Sequence, residues 1–156
     1  MIKLTRIDDR LVHGQVSFTW VPSLGINCLI VANDKTACDD FQKMALTLAR
    51  PPSAKLLILT IEESIAFLND DKSKNAKILL IVNSINDAFT LSEKVTEIQS
   101  INFGGIRARE GTRLISRAIA VSDADISLIK QMADKGIELE IRQVPNDKKQ
   151  LIQNLL

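Results

Sequence analysis

One segment organises the chain: Arg6-Ile7-Asp8-Asp9-Arg10-Leu11-Val12-His13-Gly14-Gln15-Val16, which joins the first predicted strand to the first predicted helix. It contains His13, the only histidine among the 156 residues, with two carboxylates and a guanidinium in the five positions before it. Histidine is the side chain best suited to nucleophilic and acid–base chemistry near neutral pH. The segment is therefore the candidate functional site, and the rest of the chain is expected to be a scaffold that holds it.

Short apolar runs of strand length alternate with helix-like segments along the chain. The runs cover residues 2–7, 27–32, 54–59, 77–83, 100–103, 117–121 and 137–141. The second, third and fourth runs are continuously apolar, which is typical of strands covered on both faces by helices. The alternation predicts an α/β fold in a single domain, residues 1–156. We expect a mostly parallel, twisted sheet of about six to seven strands with helices on both faces.

Two parts of this pattern depart from a simple alternation. In the last run, Ile137, Leu139 and Ile141 alternate with charged residues, which predicts a half-exposed edge strand that could support a homodimer contact. Between residues 100 and 121 two strand candidates are joined by a segment too short for a crossover helix, so we expect a loop excursion there.

Helices are predicted between the strands from apolar periodicity, caps and breakers. Ser122 and Asp125 form a capping-box pattern at the start of one of them, and Gly136 follows its end. The predicted helices cover residues 15–24, 36–50, 61–69, 85–97, 123–135 and 147–156.

Composition excludes several classes of function. The formal net charge is +1 and aromatic residues make up 4%, with no tyrosine. The chain therefore has neither the basic field nor the stacking platform of a nucleic-acid-binding protein. No apolar run approaches the roughly 20 residues that span a bilayer. Since no secretory signal is visible either, we expect a cytoplasmic location.

Nucleotide, hydrolase and metal motifs are also missing from the sequence. There is no glycine-rich dinucleotide or P-loop pattern and no metalloprotease or serine-hydrolase pattern. Cys28 and Cys38 lie ten residues apart with no histidine near them, which is not a zinc spacing. We therefore expect neither a metal nor another cofactor.

In open parallel sheets, ligands bind outside the carboxyl ends of the strands, and His13 follows the first strand at such an end. Phosphorylation of a histidine needs a neutral imidazole, hydrogen-bond donors for the phosphoryl dianion, and a nearby cation. The helix start at Gly14 and Gln15 offers free backbone N–H groups, and Arg10 offers the cation. The segment therefore favours phosphoryl transfer through His13.

Structural explanations compete with each of these assignments. A histidine near a helix start is often only an exposed or capping residue. Asp8 and Asp9 could orient the imidazole or bind Arg10, or could merely cap and solvate the strand end.

Three further polar groups have both a functional and a structural interpretation. Residues 102–105 could form a wall of the site or a plain turn, and residues 33–34 could cap the next helix. Arg107, Arg109 and Arg113 could dock a partner or form a solvated loop.

The segment from Arg6 to Val16 closely resembles the IIB component of the phosphoenolpyruvate-dependent sugar phosphotransferase system, in its mannose/fructose/sorbose family. The likeness continues, in order, through residues 31–34, 102–105, 120–122 and 136–145. The resemblance implies a protein-Nπ-phosphohistidine–sugar phosphotransferase. In this assignment His13 is the phosphorylated nucleophile, and Arg10 with the amides of Gly14 and Gln15 binds the phosphate. Asp9 joins His13 and Arg10 in the catalytic set, while the separate roles of Asp8 and Asp9 stay open.

The resemblance also implies partners and a place of action. A IIA component, expected to be a separate polypeptide, would donate the phosphoryl group, and a IIC/IID membrane permease complex would present the sugar. The chain would then be cytoplasmic and peripherally associated with that permease. The sugar is open among mannose, fructose, sorbose and amino sugars such as N-acetylgalactosamine. Two alternatives also stay open: a phosphohistidine signalling module that does not pass the group to sugar, and an anion-binding domain without a covalent step.

Overall fold

The computed structural model describes all residues, 1–156, and contains one seven-stranded sheet with helices on both faces. The strand order is β3-β2-β4-β1-β5-β8-β9, and every neighbouring pair is parallel except β8 and β9. The predicted α/β class is confirmed. The strands are β1 (Ile2–Asp8), β2 (Cys28–Ala32), β3 (Lys55–Leu59), β4 (Ile78–Val82), β5 (Ser100–Gly105), β6 (Arg113–Ser116), β7 (Ile119–Val121), β8 (Glu138–Ile141) and β9 (Gln150–Leu151).

Six α-helices connect or flank these strands, and short π- and 3₁₀-helical segments accompany them. No helix is long and apolar enough to cross a membrane. The α-helices are α1 (Val21–Leu24), α2 (Asp34–Ala37), α3 (Asp40–Ala49), α4 (Ile61–Asn69), α5 (Ile85–Lys94) and α6 (Asp123–Asp134). The others are a π-helical segment (Val16–Trp20) and 3₁₀ helices at Asp71–Asn75 and Ile152–Leu155.

The sheet separates two apolar cores, one on each face. The larger core has 25 buried residues and lies under α4, α5 and α6. The smaller core has 12 and lies under the π-helical segment, α1 and α3. Every residue of β2 and β4 is buried, because side chains alternate between the two covered faces. The continuously apolar runs thus indicated the central strands β2 and β4 correctly, whereas the run over residues 54–59 forms β3 at the sheet edge, and the residues of that strand are exposed or half-buried.

The helix predicted over residues 36–50 is instead two helices. Asn33 caps α2 by accepting a hydrogen bond from the Thr36 N–H, and Asp39 caps α3 by accepting from the Gln42 N–H. A capping residue adopts an extended backbone, so Asp39 interrupts the helix that apolar periodicity alone predicted. The helix predicted over 85–97 ends earlier, at Lys94. The capping box of Ser122 and Asp125 is confirmed.

The C-terminal helix predicted over residues 147–156 is wrong. The chain there forms β9, antiparallel to β8, and then a 3₁₀ turn. β9 covers the outer side of β8, so the run 137–141 is not the edge strand that its alternation predicted. Glu140, expected on a solvent face, is only 3% exposed because it is held by buried polar partners described below.

The loop excursion expected between residues 100 and 121 is present and contains a hairpin. β6 and β7 pair antiparallel in a sheet of their own, and a single bridge, Ile106 to Ile119, ties the hairpin to the chain that follows β5. The strand predicted over 117–121 is therefore outside the main sheet, whose seventh strand is β9.

Candidate functional site

The candidate site lies at the carboxyl end of β1, which pairs with β4 on one side and β5 on the other. The register with β5 shifts between Ile7 and Asp8. Their partners are Phe103 and Gly105, so the extra residue is Gly104 on β5, and such irregularities are common beside active sites. Asp8 ends the strand as a buried carboxylate, with 1% of its surface exposed.

The loop from β1 to the first helix is pinned to the smaller core. Leu11 and Val12 are buried, and Leu11 has a left-handed backbone with φ 59°. Its N–H donates to the Asp8 carbonyl at 2.9 Å, which closes a tight turn. A left-handed conformation is strained for leucine, and such strain persists only where the surrounding packing fixes it. The loop therefore presents His13 in a defined position.

The helix that follows begins at Gly14 and passes through a π-helical turn. The Val21 N–H donates to the Val16 carbonyl, five residues back, which is the π-helical pattern. The next residue, Pro22, has no N–H to donate. The first-turn N–H groups at Gly14 and Gln15 have no acceptor within a helix. They lie next to His13, where an anion could accept their hydrogen bonds.

His13 contacts Asp8. Its Nε2 lies 2.8 Å from Asp8 Oδ2, and the side chain is 14% exposed. An ionised carboxylate only accepts hydrogen bonds, so Nε2 is the nitrogen that carries the proton. In the neutral imidazole, Nδ1 is then the nitrogen with a free lone pair. The structure thus brings Asp8, and not Asp9, to the imidazole.

Asp8 is held as a carboxylate by its surroundings. Burial alone would raise its pKa, but the hydrogen bond from His13 and the charge of Arg6 outweigh burial and lower that pKa below its ordinary value. The Arg10 N–H also donates to Asp8 Oδ1, at 3.1 Å. Asp8 therefore stays ionised around neutral pH, and it can accept the hydrogen bond from His13 continuously.

Arg6, fully buried on β1, is the counter-ion of Asp8. Its Nη2 donates to Asp8 Oδ2 at 3.0 Å, and its Nη1 donates to Asn102 Oδ1 at 2.7 Å. Burial is the largest influence on Arg6 and lowers its pKa, while the charge of Asp8 acts to raise it. Arginine stays protonated in proteins, so this buried pair is charged.

A second set of polar contacts lies behind Arg6. Asn102 donates to Glu140 at 3.0 Å, and Arg142 pairs with the same carboxylate at 3.0 Å. The guanidinium groups of Arg6 and Arg142 lie 5.5 and 5.1 Å from the Trp20 ring centre. Sequence reasoning gave no role to Arg6, Glu140, Arg142 or Trp20. The charged residues that alternate with apolar ones in β8 are a signal for this cluster, but such alternation ordinarily indicates solvent exposure.

Arg10 and Asp9 are both more exposed than the buried Asp8. The Arg10 side chain is 57% exposed, with its Nε 3.9 Å from Asp8, so it is free to move toward an anion at His13. Asp9 accepts hydrogen bonds from the Arg107 N–H at 2.8 Å and from its Nε at 3.0 Å. Asp9 therefore ties the His13 loop to the chain after β5.

An open cleft of about 500 Å³ lies beside the loop. Arg10, Arg107 and Arg117 line it together with residues 104–106. Of the predicted basic excursion, Arg107 is paired with Asp9 and Arg109 with Asp125, whereas Arg113 has no ion pair. Residues 104–106 form one wall of the cleft, and Asn33 caps α2.

Comparisons with known proteins agree on one family. The family model described as "PTS system sorbose subfamily IIB component" matches residues 2–156. The mannose-specific EIIAB component of Escherichia coli K12 is 33% identical over 156 residues, which is 100% of this chain and 48% of that protein. The chain thus spans about half the length of the mannose-specific relatives it matches.

Solved structures show the same fold. The IIBSor domain of the sorbose permease from Klebsiella pneumoniae superposes with a TM-score of 0.94 at 26% identity, covering 99% of this chain and 95% of that one. The N-acetylgalactosamine-specific IIB component 1 from Escherichia coli gives 0.85 at 34% identity, covering 96% and 98%.

Proposed function

The chain belongs to the sorbose-type family of IIB components of the sugar phosphotransferase system, and we propose that it relays a phosphoryl group through Nδ1 of His13. The observation that carries this proposal is the contact between His13 Nε2 and the buried carboxylate of Asp8. It places the ring proton on Nε2, so that in the neutral imidazole Nδ1 is the nucleophilic nitrogen. The same orienting contact between a carboxylate and an imidazole operates in other nucleophilic sites.

In the first transfer, the Nδ1 lone pair attacks the phosphorus of a phosphohistidine on a IIA component. A new N–P bond forms, the donor's N–P bond breaks, and its electron pair stays on the donor imidazole. The Nε2 proton of His13 remains in its hydrogen bond to Asp8. The negative charge of Asp8 offsets the positive charge that the ring gains.

Arg10 and the first-turn amides of Gly14 and Gln15 bind the phosphoryl oxygens in this proposal. The Arg10 side chain is exposed and its contact with Asp8 is long, so it can approach the phosphoryl group during transfer and move away afterwards. Asp9 acts by holding Arg107 and the chain after β5 against the loop. Moderate binding suits a relay, because uniform stabilisation of the phosphorylated state would raise the second barrier.

In the second transfer, a sugar hydroxyl presented by a IIC/IID permease attacks the phosphorus. The N–P electron pair returns to Nδ1, and the hydroxyl proton leaves to a base on the acceptor side. This step places the chain at the cytoplasmic face of that permease. The relatives are named for mannose, sorbose and N-acetylgalactosamine, so the sugar itself is not assigned.

Phosphate incorporation tests the first transfer. We expect acid-labile, alkali-stable phosphate when the chain is incubated with phosphorylated IIA, and complete loss of that label in His13→Ala. Cys38→Ala is the matched control, because Cys38 is an exposed free thiol and an alternative nucleophile. Full labelling of His13→Ala would contradict the proposal.

Onward transfer tests the second step. With permease membranes and sugar present, the label should leave His13 and appear on sugar. Phosphate that stays on His13 under these conditions would instead support a signalling module. Binding of phosphate without covalent labelling would support an anion-binding domain.

A further inference from the structure

Arg6 is a charged side chain that the fold buries completely, with 0% of its surface exposed. It lies on β1 two residues before Asp8, so both side chains project from the same face of the strand. A buried guanidinium is costly unless its N–H groups are paired. The partners of the Arg6 N–H groups therefore indicate which role offsets the cost of burying this charge.

The guanidinium group is fixed on two sides. Nη2 and Nε both donate to Asp8 Oδ2, at 3.0 and 3.3 Å. On the other side, Nη1 donates to Asn102 Oδ1 at 2.7 Å and to the Arg142 carbonyl at 3.2 Å. Asp8 Oδ2 is also the oxygen that accepts the hydrogen bond from His13 Nε2. The position of Asp8 Oδ2 is thus fixed by two N–H groups of one planar guanidinium.

The surrounding structure is shaped for this group. A Cβ atom on Gly104 would overlap the Arg6 guanidinium, so β5 carries glycine where the guanidinium crosses it. The Trp20 ring centre lies 5.5 Å from the guanidinium carbon. Lysine has one point charge in place of the planar fork and could not make both sets of contacts.

We propose that Arg6 is a positioning residue: by holding Asp8 Oδ2 against His13 Nε2, it restricts phosphorylation to Nδ1. This inference rests on the proposed function, in which His13 accepts a phosphoryl group. Rotation of an imidazole about its Cβ–Cγ bond has two broad minima, and a half-turn exchanges Nδ1 with Cδ2 and Nε2 with Cε1, so it changes which nitrogen faces a given direction. Without a fixed acceptor at Nε2, the ring can present either nitrogen to the donor, and two phosphohistidine isomers result.

The test is the isomer formed on His13. The chain, labelled with ¹⁵N-histidine, is phosphorylated with phosphoramidate, whose small size removes any orientation imposed by a protein partner. ³¹P and ¹H–¹⁵N NMR spectra then distinguish the two isomers. We expect the Nδ1 isomer alone in the unsubstituted chain, and a mixture in Arg6→Met with a roughly hundredfold slower reaction, as for a misplaced reacting group. Arg6→Lys should give an intermediate mixture.

Arg142→Met is the matched control. Arg142 is also an arginine beside the Trp20 ring, but it pairs with Glu140 and not with Asp8. It should keep the single Nδ1 isomer, a result that a general loosening of the network would not give.

A second variant keeps the test decisive if Arg6→Met does not fold. Gly104→Ala retains every charge but displaces the guanidinium, and it should give the same isomer mixture. Circular dichroism and thermal unfolding establish that each variant compared is folded. A folded Arg6→Met or Gly104→Ala that yields only the Nδ1 isomer at the unsubstituted rate would overturn the inference. An unsubstituted chain that is never labelled at His13 would overturn the proposed function as well.

Discussion

At the scale of single residues, two adjacent carboxylates have separate contacts. Asp8 is buried against Arg6 and His13, whereas Asp9 turns outward to Arg107. Their order in the sequence could not decide this division, because both lie within reach of the histidine. The end of β1 decides it: Asp8 is the last residue of the strand and shares a face with Arg6, whereas Asp9 follows in the loop. The placement of His13 at the sheet edge was predictable, but the identity of its partner was not.

The lowered pKa of Asp8 predicts a loss of stability in acid. A carboxyl group whose folded pKa lies below its unfolded value of about 3.9 stabilises the fold above that value. This contribution is lost as pH falls through the folded pKa. We expect the free energy of unfolding, measured by urea titration, to decrease below about pH 4 and to decrease less steeply in Asp8→Asn.

The comparison with Asp8→Asn is needed because Glu63 and Glu97 also have lowered pKa values and contribute to the acid loss. At neutral pH the same variant should be destabilised by about 3–5 kcal/mol, because Arg6 is left as an uncompensated buried charge. Equal acid dependence in Asp8→Asn and the unsubstituted chain would show that the Asp8 cluster is not linked to folding.

At the scale of elements, apolar runs predicted the positions of most strands. The helix boundaries that apolar periodicity did not predict are set by capping residues. Asp39 divides one predicted helix in two because its side chain caps the second. The C-terminal prediction failed for another reason. Residues 147–156 are compatible with a helix locally, but the free edge of β8 offers backbone partners that a helix there would leave unpaired.

Ile152 tests the corrected C-terminal structure. It follows β9 directly and is fully buried in the larger core. We expect Ile152→Ala to lower the free energy of unfolding by about 2–5 kcal/mol, the cost of a core truncation. Leu156→Ala is the control, since Leu156 is 39% exposed, and it should change stability little. Similar small effects at both positions would contradict the packing of this segment on the core.

At the scale of the whole molecule, the α/β class and the position of the site followed from the sequence, but the strand order and the buried polar cluster did not. Alternating strands and helices predict a parallel sheet, and parallel sheets bind ligands at their carboxyl edge. Arg6, Asn102 and Glu140 lie on three different strands, and only the order β1-β5-β8 brings them together. A single sequence contains no signal for that order, so their pairing could not be predicted.

The order of strands also predicts a gradient of local stability. β1 is paired on both sides, whereas β9 is a two-residue strand at the edge. In native-state hydrogen exchange, the amides of β1 should exchange only through global unfolding, and those of β9 through local opening at much lower free energy. Equal protection of the two strands would contradict this prediction.

The central place of β1 has a consequence for the motions open to the site. Asp8 and Arg6 belong to a strand that cannot open separately from the rest of the sheet, so thermal fraying that loosens ordinary surface loops does not reach the anchor of His13. Only the exposed groups, Arg10 above all, can fluctuate on the nanosecond scale typical of surface side chains. In the proposed relay, two successive partners would therefore meet the same rigid imidazole, and each would have to adapt its own surface to it.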